Sequence, residues 1–209
     1  MLIIGAGGLA KEVLEIFDRS INDNFLFLDN LTTDLNKKLF GKYEIIHNDN
    51  QVTEYFKKST KKFVNAVGNQ FKRSELNINL ITLGGKNVSA ISNKANIGTL
   101  DVKIEDGVII MSGANISNDV EIKAGTLIYY NCNITHGCRL GNYVQLAPAV
   151  NLLGNVKIGD FTNIGANATI LPNITIGCNS IIGAGSVVTK DVPDYSKALG
   201  VPAIIKSIL

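Results

Sequence analysis

Tryptophan is absent from this sequence, histidine occurs twice, cysteine three times and proline four times. Cys132, Cys138 and Cys178 are an odd number without CxxC spacing, which excludes a disulfide framework and a zinc knuckle and leaves reduced thiols without a chemical role. Neither sign of charge dominates: 20 basic against 18 acidic side chains leave a net +2, so nothing points to a nucleic-acid partner or an anionic membrane. No apolar run approaches the roughly 18–20 residues that span a bilayer. Met1–Ala10 carries no leading positive cluster, and Lys11-Glu12 ends that run, so a cytoplasmic protein is expected. What the chain has in plenty is glycine, 20 residues of it; without proline, this indicates many tight turns. With 45% apolar and 18% charged residues, its 209 residues can bury the core of one large domain or two small ones.

The second half carries a repeat. Every sixth residue from Ile104 is aliphatic: Ile104, Ile110, Ile116, Ile122, Ile128, Ile134, Leu140, Leu146, Leu152, Ile158, Ile164, Ile170, Ile176, Ile182 and Val188. Two residues before many of these the side chain is small or β-branched, as at Ala114, Thr126, Cys132, Thr162, Ala168 and Ser180. Glycine often follows, as at Gly141, Gly159, Gly165, Gly177 and Gly183. A period of six fits neither a helix nor a lone strand. It fits a coil of triangular section with one short strand and one turn per side, glycine or asparagine serving the bends where φ is positive. Three hexads make a coil of about 18 residues, and five coils stacked at the strand spacing stand about 24 Å tall. The expected fold is a left-handed parallel β-helix, an exception to the right-handed crossover rule. No hexad is interrupted, Pro193 stops the pattern, and the tail from Gly200 to Lys206 packs along the prism or a neighbouring subunit.

The first half reads as a small α/β, Rossmann-like domain. Met1–Ile4 is a buried strand followed by Gly5-Ala-Gly-Gly-Leu-Ala10, a GxGxxA turn. Ala10, Val13, Leu14 and Phe17 then share one helix face. Phe25–Leu28 is a second strand ending at Asp29, and Phe63–Val67 a third, followed by a helix holding Arg73. GxGxxA alone is either a tight turn or a phosphate-binding one. Its place directly after a first strand, with an acidic residue about 20 positions on, favours a nucleotide. The α/β part ends near residue 87, too short for a full dinucleotide sheet, so a mononucleotide such as the carrier of an activated sugar fits better. The expected division is 1–87, 88–192 for the prism and 193–209 for the tail.

Of the two histidines, His47 sits by a polar turn of the small domain and reads as a surface residue. His136 lies in the repeat, two positions after Ile134, and points outward from a corner. By position alone it is either an ordinary surface histidine or a general base. The coil period places Gly154 one coil on and Pro172 two coils on, along the same edge. A glycine beside the ring leaves room and exposes a backbone N–H able to stabilise an oxyanion. Base and donor on neighbouring coils suit acyl transfer.

These features resemble the bacterial hexapeptide acyltransferases. The glycine-rich first turn, Phe27-Leu-Asp-Asn30 and His136-Gly-Cys-Arg-Leu-Gly141 are together similar to the NeuD/PglD-like sugar acetyltransferases, over essentially the whole chain. The resemblance implies a homotrimer with acetyl-CoA in the groove between adjacent prisms, and no metal. It makes His136 the base that deprotonates the acceptor, and Gly154 the residue whose amide faces the thioester carbonyl. Gly165, Ala166, Gly183, Ala184 and the Pro202 tail line the path of the coenzyme, and Gly7, Gly8, Asp29 and Asn30 hold the sugar nucleotide.

The chain departs from the family pattern in places. Gly137 stands where many members carry a carboxylate that orients the histidine, Tyr129 where an asparagine is common, and Ile204 where a lysine is. The expected reaction is acetylation of a surface-glycan sugar. The His-Gly pairing favours sialic acid O-acetylation, and the missing carboxylate favours N-acetylation of a UDP- or dTDP-linked 4-amino-4,6-dideoxy sugar; the balance leans to sialic acid. A zinc hydratase on such a prism needs three histidines, and a scaffold or ice-binding prism leaves the GxGxxA unit unexplained.

Overall fold

The computed structural model describes residues 1–17, 24–31 and 38–208. They form two compact units, Met1–Ala90 and Ile91–Leu209.

In the first unit the elements run β1 (Leu2–Ile4), α1 (Gly8–Leu14), β2 (Leu26–Leu28), β3 (Ile45–Ile46), α2 (Asp49–Lys58), β4 (Lys62–Asn65), α3 (Gln70–Thr82) and β5 (Lys86–Asn87). The strands make one parallel sheet in the order β3-β2-β1-β4-β5. Leu2, Ile3, Phe27, Phe63 and Val64 are wholly buried because helices cover a parallel sheet on its faces. Val13 and Leu14 of α1, Val52 of α2 and Leu80 of α3 complete this core. Asn48 and Asn69 start α2 and α3, each side-chain oxygen accepting a backbone N–H of the first turn, from Gln51 at 3.1 Å and Lys72 at 2.9 Å. The sheet holds two more strands than the sequence reading named. β3 and β5 are two residues long, too short to carry any periodicity.

Arg73 on α3 is 1% exposed. Its Nη1 donates to the carbonyls of Val67 and Gly68, both at 2.8 Å, and so fixes the loop that follows β4. Asn65 donates to the Arg73 carbonyl at 2.9 Å and to Asn77 Oδ1 at 2.8 Å, which ties β4 to the same helix.

The second unit is a left-handed parallel β-helix. Two-residue strands recur every six residues up to Val187–Val188 and stack into three parallel sheets. The register is the 18-residue coil: Asn115 pairs with Asn133, Asn133 with Asn151, and Asn151 with Thr169. The inward aliphatic column is buried from Ile110 to Val188, while Ile104 on the first coil is partly buried. The small residues two positions earlier are buried beside it. Buried hydroxyls find carbonyls on the next coil: Thr126 donates to Gly141 at 2.9 Å and Thr162 to Gly177 at 2.6 Å.

One detail differs from the sequence reading. The glycines that follow the aliphatic column do not take up positive φ. That conformation falls to other corner residues, among them Gly137 at +74° and Asn155 at +62°. The post-aliphatic glycines are there for close approach: a Cβ on Gly165 would sit 2.5 Å from the Ala184 nitrogen. The tail folds as a hairpin, with Ser196–Leu199 parallel to Ile181–Ile182 and antiparallel to Ile204–Ser207, and so extends one sheet to eight strands.

Candidate active site

His136 and Gly154 meet on one corner of the prism, where the chain leaves the strand Asn133–Ile134 and enters Arg139–Leu140. The coils are in register there: the Asn155 N–H donates to the His136 carbonyl at 2.9 Å, and the Asn173 N–H to the Gly154 carbonyl at 2.8 Å. The imidazole lies over Gly154. A Cβ added to Gly154 would sit 2.8 Å from His136 Cε1 and 3.0 Å from Nε2, against 3.6 Å from Nδ1. Only glycine leaves the ring this place. The Gly154 N–H and the His136 ring make no hydrogen bond among the described residues, and the ring is exposed. A proton acceptor and an unengaged N–H donor thus sit on adjacent coils.

A side chain at residue 137 would run into the Asn155 side-chain amide, and φ there is +74°. Steric exclusion and backbone conformation together account for glycine, and not a carboxylate, at this position. Asn155 is held in turn by its own donation to Asn173 Oδ1 at 3.1 Å. The face leading to this corner forms an open groove of about 430 Å³ lined by Asn96, Asn115, Asn133, Ser117 and Thr135. Three of these asparagines form a ladder, Asn96 donating to Asn115 at 2.8 Å and Asn115 to Asn133 at 3.0 Å.

Gly165, Ala166, Gly183 and Ala184 lie on a different corner, between Asn163–Ile164 and Thr169–Ile170 and its next-coil equivalents. Pro202 joins them through the tail: the Val187 N–H donates to the Gly200 carbonyl at 3.1 Å and the Ala203 N–H to the Val187 carbonyl at 2.8 Å. Within one chain, these five residues and the His136 corner are therefore on separate edges.

In the α/β unit, Asp29 and Asn30 line a cavity of about 250 Å³ at the carboxyl ends of β1, β2 and β3. That is where open α/β sheets hold ligands. Gly7 and Gly8 are exposed at the start of α1 and are not among its lining residues. His47, which the sequence reading took for a surface residue, joins it, as do Asn48, Asp49, Lys72 and Glu75, which that reading had not singled out. His47 is not a plain surface residue. It is half-buried, with Nδ1 2.8 Å from the Asp29 carbonyl. Only its place after a short apolar run, in Ile45-Ile-His47, hinted that it ends a strand.

Two of the three thiols are buried in the prism. Burial pushes the Cys132 thiol up to about 11 and raises that of Cys138, and their sulfurs face the carbonyls of Ala147 at 3.2 Å and Leu153 at 3.3 Å. Among the described residues no His, Cys, Asp and Glu group could hold a metal ion, and no helix is long and apolar enough to cross a membrane.

Residues 1–80 match the PglD N-terminal domain family, and residues 137–172 and 155–190 match the bacterial transferase hexapeptide (six repeats) family. No curated protein matched the chain. Among solved structures, perosamine N-acetyltransferase from Caulobacter crescentus, in complex with CoA and GDP-perosamine, is 32% identical. That match covers 98% of this chain and 95% of the other at a TM-score of 0.90. The acetyltransferase domain of PglB from Neisseria gonorrhoeae, in complex with acetyl coenzyme A, is 27% identical, covering 97% of both chains at a TM-score of 0.87. WeeI from Acinetobacter baumannii is 25% identical over 98% of both chains, also at 0.87. With a PglD-type α/β unit, a hexapeptide prism and end-to-end likeness to such enzymes, the chain belongs to the PglD/NeuD-like family of acetyl-CoA-dependent sugar acetyltransferases.

Proposed function

We propose that this enzyme acetylates the amino group of a nucleotide-linked amino sugar. The observation that carries the reading is the imidazole of His136 lying over Gly154, with both groups unengaged. Acetyl-CoA supplies the acetyl group as a reactive thioester. His136 Nε2 takes the proton from the acceptor as it attacks, and the Gly154 N–H donates to the oxygen on which negative charge develops. Gly165, Ala166, Gly183, Ala184 and Pro202 are proposed to line the coenzyme's path. Since they sit on a separate edge, a complete site takes one edge from each of two adjacent prisms, which supports a homotrimer. Asp29 and Asn30, with Gly7 and Gly8 at the first turn, are assigned to the nucleotide. The division proposed is 1–87, 88–192 and 193–209, with the enzyme working in the cytoplasm.

An amine is preferred to a hydroxyl on two grounds. The imidazole has no carboxylate or carbonyl partner among the described residues, and a neutral amine demands less of its base than a hydroxyl does. The 32% identical neighbour is also a perosamine N-acetyltransferase. Sialic acid O-acetylation is the second reading, favoured by the His136-Gly137 pairing.

Thiol release from acetyl-CoA decides between them, measured with UDP-, dTDP- and GDP-linked 4-amino sugars, sialic acid and CMP-sialic acid. Turnover on an amino sugar is expected, falling about 10²–10⁴-fold in His136→Ala. Turnover confined to the sialic acids establishes the second reading. Turnover that survives His136→Ala removes the base. A solution mass of one chain sinks the trimer.

A further inference from the structure

We propose that His47 reads the base of the nucleotide carrier, its Nε2 accepting a hydrogen bond from a base N–H. The inference rests on the nucleotide-sugar reading above and adds the residue that senses the base.

The tautomer of the neutral ring follows from its partner. Nδ1 lies 2.8 Å from the Asp29 carbonyl, and a carbonyl only accepts, so Nδ1 carries the proton. In the neutral ring, Nε2 is then a bare acceptor. It is buried and, among the described residues, has no hydrogen-bond partner. The Nδ1 bond to the Asp29 carbonyl favours this ring orientation, so turning the ring to relieve Nε2 would break it. A buried acceptor left unpaired is costly and calls for a reason. A donor brought by a ligand into the cavity that His47 lines would supply the missing partner.

The cavity's charge says which end of a nucleotide that is. Asp29, Asp49 and Glu75 line it against one cation, Lys72, whose ammonium already lies 2.7 Å from Glu75. Such a lining repels a pyrophosphate and suits the uncharged base and the ribose. One Asp29 carboxylate oxygen accepts the Leu31 N–H at 2.9 Å, which aims the group and leaves its second oxygen for a ribose hydroxyl. Leu28, Val67 and Leu76 supply an apolar wall for a planar ring. An N–H on the Watson–Crick edge of that ring satisfies Nε2.

Calorimetry on the full chain with UDP, TDP, GDP and CDP identifies the tightest carrier. That nucleotide is then compared with its analogue methylated on the Watson–Crick-edge nitrogen, against wild type and His47→Phe. The parent nucleotide is expected to bind about tenfold more weakly to the variant. Methylation should cost about tenfold on wild type and less than about twofold on the variant. Equal affinity of wild type and variant, or an equal methylation penalty on both, overturns the proposal while the nucleotide reading stands. If none of the four binds wild type, both fall. Acetyl-CoA affinity and melting temperature check the variant's fold; should it not fold, an absent methylation penalty on wild type overturns the proposal by itself.

Discussion

Replacing Gly154 by alanine tests the site with one methyl group. The backbone of Gly154 is not in the left-handed region, so alanine adds no conformational strain there. Its Cβ would lie 2.8 Å from His136 Cε1 and 3.0 Å from Nε2, whereas carbon contacts relax at about 3.5–4.0 Å. The ring must retreat by several tenths of an ångström to about 1 Å. It is exposed and held by no hydrogen bond among the described residues, so it retreats at little cost to the fold. The melting temperature should stay within the shift expected of about 0.5 kcal/mol, the range of ordinary surface changes. Activity should not survive so well: a displacement of about 1 Å at a reacting group costs on the order of 10²-fold. Steady-state thiol release from acetyl-CoA, with a melting curve on the same sample, reads both quantities. A folded Gly154→Ala enzyme within about threefold of wild-type kcat/KM would refute the reasoning, since the imidazole would then have no required place over Gly154.

The contrasting substitution is Gly165→Ala, whose Cβ would meet the Ala184 backbone nitrogen at 2.5 Å. Backbone cannot swing aside, so a loss of about 1–3 kcal/mol is expected in denaturant unfolding, and an unchanged midpoint would contradict the close-approach account. Arg73→Met removes the donor to the Val67 and Gly68 carbonyls and should cost about 2–4 kcal/mol while weakening nucleotide binding, because Val67 lines the cavity. With a thiol-specific reagent, half-buried Cys178 should react first, Cys132 and Cys138 only on unfolding; simultaneous labelling of all three would overturn the burial argument. Cys132 stays protonated up to about 11 when folded but ionises nearer 9.0 when unfolded, so its contribution to stability holds below pH 9.0 and is lost as pH rises toward 11. A Cys132→Ala chain should show a smaller alkaline loss in urea midpoints.

The prism was legible because its information is local and repeated. One aliphatic residue per hexad fixes which side chain points inward, and three hexads per coil fix which residues stack. The α/β unit was legible only in part. β1, β2 and β4 carry apolar runs long enough to see, whereas Ile45–Ile46 and Lys86–Asn87 are strands only because neighbouring strands offer them hydrogen bonds. The assignment of positive φ to particular corners was not legible either. Tyr143 at +54° and Phe161 at +56° take the conformation that composition alone assigns to glycine or asparagine.

The sequence by itself determined that His136 and Gly154 share an edge, because 18 residues separate them and the coil is 18 residues long. Covalent spacing, once the period is known, is enough for that. Only the tertiary structure decided what His47 is. Its neighbours Asp29, Lys72 and Glu75 come from the ends of other strands and the start of α3, brought together by the order β3-β2-β1-β4-β5. A histidine's tautomer, burial and missing partner depend on groups far away along the chain. No local pattern around residue 47 records them.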